Sequence, residues 1–371
     1  MIKKSVILII MVLITTLLSG ETDIFGYFEN RFFLINTFEE DPNEDGNNIY
    51  LGDYNRIRLK LKSEPAKNVT VNLALDLFTF HGFVSSPFGV NENNGKTQVD
   101  TKENFKIDLD RAFVDIHFKK FDVTIGKQRV AMGVSYIWAP LDVFNRINIF
   151  EPKEEKPGVN AFKVYVPLGK RSSFMGVFSP EKNFSSSKSG IRFQTLLGGI
   201  DIGLTLINRG MDKELIYGID LRGENFIGWW LECGFFDSDS ENNLKVVFGF
   251  DYTFPVGSGI YWMNEYFYDQ SGEKNISIYN YDLLNEGGRF TLGKEYFISM
   301  LRYGLSDFLS ASVSYIGNWD DGSYIINPSI SYEVFQNVSL TTGAYFPFGQ
   351  KGGEFNRGNM NAYFVWLKIN F

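Results

Sequence analysis

The chain has 371 residues, with 44 acidic against 36 basic side chains and a formal charge of −8, a balance that argues against nucleic acid as a partner. Aromatic residues make up 16% of it, with 36 Phe and 36 Gly, yet mean hydropathy is only −0.13. That combination disfavours an ordinary soluble domain and fits aromatic girdles around a membrane barrel with a wet interior, while the single Cys233 excludes an internal disulfide.

The first element is a leader. Lys3 and Lys4 precede an apolar run from Val6 to Leu18, followed by Ser19-Gly20 and the acidic Glu21. This is the plan of a secretory signal, with cleavage expected after Gly20. No cysteine stands at the junction to carry a lipid. Residues 1–20 are therefore read as a signal peptide and 21–371 as the mature domain. Losing Lys3 and Lys4 takes the formal charge from −8 to −10, two positives fewer. Downstream of Leu18 no run of eighteen apolar residues is long enough to cross as a helix.

Alternation of apolar and polar residues then recurs over roughly ten positions at a time, the length at which a tilted strand crosses a bilayer. Val69, Val71, Leu73, Leu75 and Leu77 share one face, and Thr70, Asn72, Ala74 and Asp76 the other. The pattern predicts eighteen strands: 23–36, 50–63, 69–81, 105–118, 121–130, 158–167, 173–179, 189–198, 200–209, 214–223, 226–237, 243–254, 259–269, 293–305, 308–319, 323–334, 337–347 and 359–371. Short connections such as 64–68, 223–225 and 336–337 alternate with longer ones such as 37–49, 82–104, 131–157, 270–292 and 348–358. In outer-membrane barrels short turns face the periplasm and long loops the outside. The predicted fold is all-β, a transmembrane antiparallel barrel of about 18 strands with both termini periplasmic. One strand breaks the pattern, because Lys106, Asp108 and Asp110 share a parity with Ala112, Val114 and Ile116. A bulge near Asp110 or Arg111 repairs it. Tyr363, Val365, Leu367, Ile369 and Phe371 share the last outward face, and the terminal aromatic resembles the signal read by barrel-assembly machinery.

Eighteen strands leave an aqueous bore unless something fills it. The function expected is a porin-like channel for passive diffusion of small hydrophilic solutes or ions across the outer membrane. Candidate pore-lining residues are Arg56, Arg58, Lys60, Asp76, Arg192, Asp220, Glu232 and Asp251; only the strand with Arg56, Arg58 and Lys60 concentrates one sign, which reads as one basic wall of an anion-favouring constriction. The opposite wall is expected from the loop 131–157, where residues that want burial, Trp138 among them, mix with Asp142, Asn145, Arg146 and Glu151. Such a loop folds into the bore or closes it as a lid.

The run Asp110-Arg111-Ala112-Phe113-Val114-Asp115, then Gly126-Lys127-Gln128, Gly133, Asp142, Asn145 and Pro157-Gly158, resembles porin-like barrels related to the alginate-export type. The likeness covers roughly 60 residues and implies that the strand with Gly-Lys-Gln leads into an inserted loop carrying an Asp and an Asn. Those relatives often place Trp where this chain has Met132, so no polysaccharide substrate is carried over. As partners the reading implies outer-membrane lipid, lipopolysaccharide and a possible homotrimer.

Two other classes compete. A structural or adhesive barrel with a plugged lumen would need large outer loops or a periplasmic domain, neither of which is evident, and a secreted β-sandwich or solenoid would not need strands this long. An outer-membrane hydrolase would need a base beside a nucleophile, but His81 and His117 lie at opposite ends of their strands and Asp76 sits on the face opposite His81. Asp41-Pro42-Asn43-Glu44-Asp45-Gly46 copies the first half of a calcium loop without the closing acid. No catalytic residue, metal or cofactor is assigned.

Overall fold

A strand buried in lipid must pair both edges, so a set of membrane-crossing strands has to close on itself. The computed structural model describes residues 21–38, 47–82, 92–93, 96–97, 105–145, 156–210, 213–239, 241–282, 291–358 and 360–371, and it closes in this way. The strands are β1 (Glu21–Phe38), β2 (Asn47–Ala66), β3 (Val69–Gly82), the short β4 (Glu92–Asn93) and β5 (Lys96–Thr97), β6 (Phe105–His117), β7 (Asp122–Gln128), β8 (Val159–Leu168), β9 (Ser172–Ser179) and β10 (Lys188–Leu197). They continue as β11 (Ile200–Arg209), β12 (Glu214–Glu224), β13 (Gly228–Asp237), β14 (Asn243–Phe254), β15 (Ile260–Asp269), β16 (Glu295–Gly304), β17 (Leu309–Asn318), β18 (Tyr324–Phe335), β19 (Val338–Phe348) and β20 (Met360–Asn370). All but β4 and β5 belong to one 18-stranded sheet of antiparallel neighbours. It is shut by β1 against β20, with Tyr27 opposite Asn370 and Thr37 opposite Met360. No described helix is long and apolar enough to cross a membrane.

All eighteen predicted strands form, each end within three residues of its expected place. The connections are short at one end and mostly longer at the other, with 210–213 and 319–323 the short exceptions. At the end that holds both termini the turns are 67–68, 118–121, 169–171, 198–199, 225–227, 255–259, 305–308 and 336–337. The tightest show why these residues are there: Gly198 and Gly199 have φ of +60° and +84°, and Asn337 has φ +68°, the left-handed region that a two-residue hairpin matched to strand twist requires.

The bulge lies where the parity breaks. Between β3 and β6, Ala74 pairs with Arg111 and Leu75 with Leu109, leaving Asp110 without an opposite residue. One extra residue flips the faces, so Ile107 and Leu109 as well as Ala112 and Val114 point outward. The outward faces carry the exposed apolar side chains, among them Phe174, Ile191, Leu204, Phe235, Phe248, Val313 and Val365. Buried apolar residues collect on the inner side, in two large clusters and a smaller one around Tyr54, Phe78 and Phe80.

Candidate functional site

The interior is built around the segment that follows β7. Gly126 enters it with φ +121°, in a place where a Cβ would run into the Ala112 carbonyl. Gln128 is buried and its amide donates to the carbonyls of Thr124 and Ala161 at 3.1 and 2.9 Å. The chain then leaves the wall. The segment 130–144 packs against Val177 on β9, Ile207 on β11, Ile216 on β12 and Phe236 on β13, and against Trp230, Val247, Met263, Phe267, Tyr296 and Phe355 further round. So short a segment reaches strands from β9 to β16 only from inside the bore.

Asp142 and Asn145 stitch its limbs together. The Asp142 carboxylate accepts the Met132 and Gly133 N–H groups at 2.6 and 2.9 Å and pairs with Lys156 on the returning limb. Asn145 accepts the Val130 N–H at 2.7 Å and donates to the Pro157 carbonyl. Asp110, the bulge residue, accepts the Gly158 N–H at 3.0 Å as the loop rejoins β8. A short side-chain acceptor at each place lets one residue satisfy backbone groups that have no strand partner.

Two wall carboxylates hold the inserted limb. Glu232 on β13 accepts the N–H groups of Val134, Ser135 and Leu141 at 2.8, 2.9 and 2.9 Å. Glu265 on β15 accepts those of Tyr136, Ile137 and Trp138 at 2.6, 2.9 and 3.1 Å, and the Trp230 indole N–H at 2.8 Å. Both carboxylates are 0% exposed. A carboxylate buried in this way is tolerable only because fixed N–H dipoles replace its water. Trp138 stacks on Phe267 at 5.3 Å and is 3% exposed; burial of a side chain of that size adds about 2 to 3 kcal/mol. Gly133 has no room for a Cβ beside the Glu232 carboxylate, nor Gly218 beside Leu141.

The expected pore-lining charges therefore have other settings. Glu232 lies under the loop and does not face open water. Arg192 and Asp220 form a buried two-pronged pair at 2.5 and 2.7 Å, and Arg192 also donates to Thr205 at 2.9 Å and to the Met132 carbonyl. Arg56 grips Asp76 at 3.1 and 3.0 Å; Arg58 bridges Asp76 at 3.1 Å and Asp110. With exposures of 6% and 1%, these arginines are closed by acids from β3 and β6, which corrects the picture of a bare basic wall. Lys60 is half-buried, and Asp251, also half-buried, accepts the Tyr261 hydroxyl at 2.9 Å. Trp138, Asp142 and Asn145 belong to the inserted limb, while Arg146 and Glu151 lie outside the described residues, as does the acidic stretch 41–46. His81 faces Asp53 at 3.4 Å and His117 faces Asp122 at 2.8 Å, both exposed and far apart in the fold. Among the described residues no group of acids, His and Cys is placed to hold a metal.

Two residues of the site were not among the expected ones: Glu265, and Tyr136, whose hydroxyl accepts from Arg222 at 2.9 Å. The inward parity of Glu265 was the only signal available.

No protein-family model matches the chain, and no curated protein matches it in sequence. Its fold is that of solved bacterial barrels. Pseudomonas aeruginosa OccK9 superposes with a TM-score of 0.60 at 10% identity, over 94% of this chain and 99% of that one. A BenF-like porin from Pseudomonas fluorescens gives 0.59 at 9%, over 94% and 98%. OmpF of Salmonella typhi, in complex with daunomycin, gives 0.50 at 12%, over 95% and 98%. The architecture is thus that of porin barrels, and none of these comparisons carries the finer likeness to the alginate-export type.

Proposed function

We propose that the chain is a passive diffusion channel of the outer membrane, exported by residues 1–20 and inserted with both termini in the periplasm. The observation that carries this reading is an inserted loop fastened to one side of the bore. Glu232 and Glu265 draw the segment 134–141 against β13 and β15, which narrows the passage from that side. A loop held by buried carboxylates makes a fixed constriction, suited to sieving small hydrophilic solutes and ions by size and lining. The uniform placement of short turns at the end holding the termini supports the orientation. Lipid and lipopolysaccharide are the surroundings this implies, barrel-assembly machinery the inserting partner, and a homotrimer the assembly to test.

The deciding measurement is single-channel conductance of the refolded protein without residues 1–20 in a planar bilayer. Stable steps of porin size are expected. A folded barrel that stays silent would show that the inserted loop and its apolar clusters plug the bore, and an anchoring role would replace transport.

A further inference from the structure

The wall from β17 to β20 has a chemistry of its own. Ile316 on β17 and Ile325 on β18 belong to the interior cluster, which fixes the inward parity of both strands. Steps of two along them give Ser314, Ser312 and Ser310, and Ser329 and Ser331, with Thr341 of β19 opposite Ser331. Ser312 and Ser329 hydroxyls lie 2.7 Å apart, and those of Ser331 and Thr341 2.9 Å apart. Each pair uses one donor, so each keeps a second hydroxyl hydrogen and spare lone pairs for a solute. From Ser310 to Ile316, from Ile325 to Ser331 and from Ser339 to Tyr345, no inward position carries a charge.

Next to this field stands an aromatic shelf. Thr341 is opposite Trp366 and Gly343 opposite Phe364. Phe364 is buried at 2% exposure and backs the half-buried Trp366 and Tyr345, which supply the ring surface, with centroids 4.4 and 5.2 Å from its own. Gly343 leaves the place of its own side chain to the Phe364 ring, which a Cβ there would strike. The shelf is continuous with the hydroxyls, and charge flanks the arc on both sides: Arg302 of β16 is opposite Ser312, with its guanidinium 5.4 Å over the Tyr261 ring, and on the other side Lys368 is opposite Ser339 and the Arg31 guanidinium lies 4.5 Å over Trp366.

Hydroxyls beside ring faces suit one kind of solute. A polyol gives up hydrogen bonds to water and regains them one for one from hydroxyls, while its C–H faces lie against aromatic carbon. An ion or zwitterion loses a hydration shell that neutral hydroxyls do not replace. Resting on the channel reading above, we propose that this arc makes the pore selective for neutral polyhydroxylated solutes of sugar type over charged or zwitterionic solutes of the same size.

The test is osmotic swelling of proteoliposomes containing the full-length barrel, with arabinose compared with glutamine, two solutes of similar mass. Wild-type vesicles are expected to admit arabinose about fivefold faster, the worth of one net hydrogen bond. The double variant Ser312→Val, Ser329→Val keeps strand-compatible side chains and should bring the ratio close to one while single-channel conductance in salt stays the same. Trp366→Leu should lower it in part. Equal wild-type rates would overturn the proposal and leave the channel standing, and a preference that survives all three substitutions would overturn its assignment to this arc. If the barrel migrates as folded but gives neither conductance nor swelling, the channel reading fails and takes this proposal with it.

Discussion

Glu265 does at one residue what a strand edge does along its length, since it collects backbone donors that would otherwise be buried without partners. Replacing it with Ala leaves the Tyr136, Ile137 and Trp138 N–H groups and the Trp230 indole unpaired. A cost of about 3 kcal/mol or more is expected, seen as a lower unfolding temperature of the barrel and as flicker in the open-channel current. Glu265→Gln, which keeps an acceptor oxygen, should lose less on both counts. Identical behaviour of the two variants would mean that shape and not hydrogen bonding holds the loop. A second buried acid acts at the mouth. Glu354, in the connection 349–359, accepts from Asn318 at 2.9 Å, from the Leu292 N–H at 3.3 Å and from the Tyr296 hydroxyl. Burial outweighs those donors and pushes its carboxyl up to about 7, with Asp321 close by and accepting the Glu354 N–H at 2.8 Å. The folded form thus binds its proton more tightly than the unfolded chain does. The stability it contributes is complete below the usual carboxylate range and is lost as pH rises towards and through 7. Hydrogen exchange of amides 349–358 should accordingly quicken between pH 5 and about 8 beyond its intrinsic pH dependence, and Glu354→Gln should abolish the excess. An unchanged excess in that variant would assign the effect to another group.

At the scale of elements the strands were legible and the contacts between loop and wall were not. Period two names the inward face of a residue, as it did for Asp76 and Glu232, and one parity break located the bulge at Asp110. It carries no information about which segment crosses the bore at the height of that residue. Val134 and Glu232 are 98 positions apart, and Tyr136 and Glu265 are 129 apart; no local pattern connects them. The mixed composition of 131–157 suggested insertion, and the strand Gly126-Lys127-Gln128 suggested where it starts. For the same reason the row Arg56, Arg58, Lys60 looked like a bare basic wall, because the acids that close it come from β3 and from a residue displaced by the bulge. Gly126 is the element's most exacting position. Gly126→Val forces a branched side chain into φ +121° and against the Ala112 carbonyl. The backbone strain alone costs about 1 to 3 kcal/mol, so the variant should refold in lower yield and show a less heat-resistant band on gel electrophoresis. Wild-type yield and heat resistance would mean that the β6–β7 ladder relaxes around the substitution.

For the whole molecule the ledger of charge decides how it treats ions. Most of the inward charges expected to set selectivity are spent within the wall, Arg56 and Arg58 on Asp76 and Asp110 and Arg192 on Asp220, and further pairs close in the same way: Arg31 on Glu29, Lys245 on Asp269 and Lys156 on Asp142. Closed pairs present dipoles to the bore, whose fields fall off faster than that of a net charge and are screened within about 10 Å in ordinary salt. Reversal potentials in a salt gradient should therefore indicate weak discrimination, with a permeability ratio within about threefold of unity. Arg58→Gln takes away a charge that is 1% exposed and leaves Asp76 and Asp110 facing each other with one partner fewer, so its main consequence is destabilisation by about 3 kcal/mol or more with a modest turn towards cations. Lys60→Gln, at a half-buried position on the same strand, should leave stability almost unaltered. Had the basic row been an open anion wall, the two substitutions would shift the reversal potential alike and cost little stability; a strong anion preference in the wild type, lost equally in both, would restore that picture and overturn the paired one.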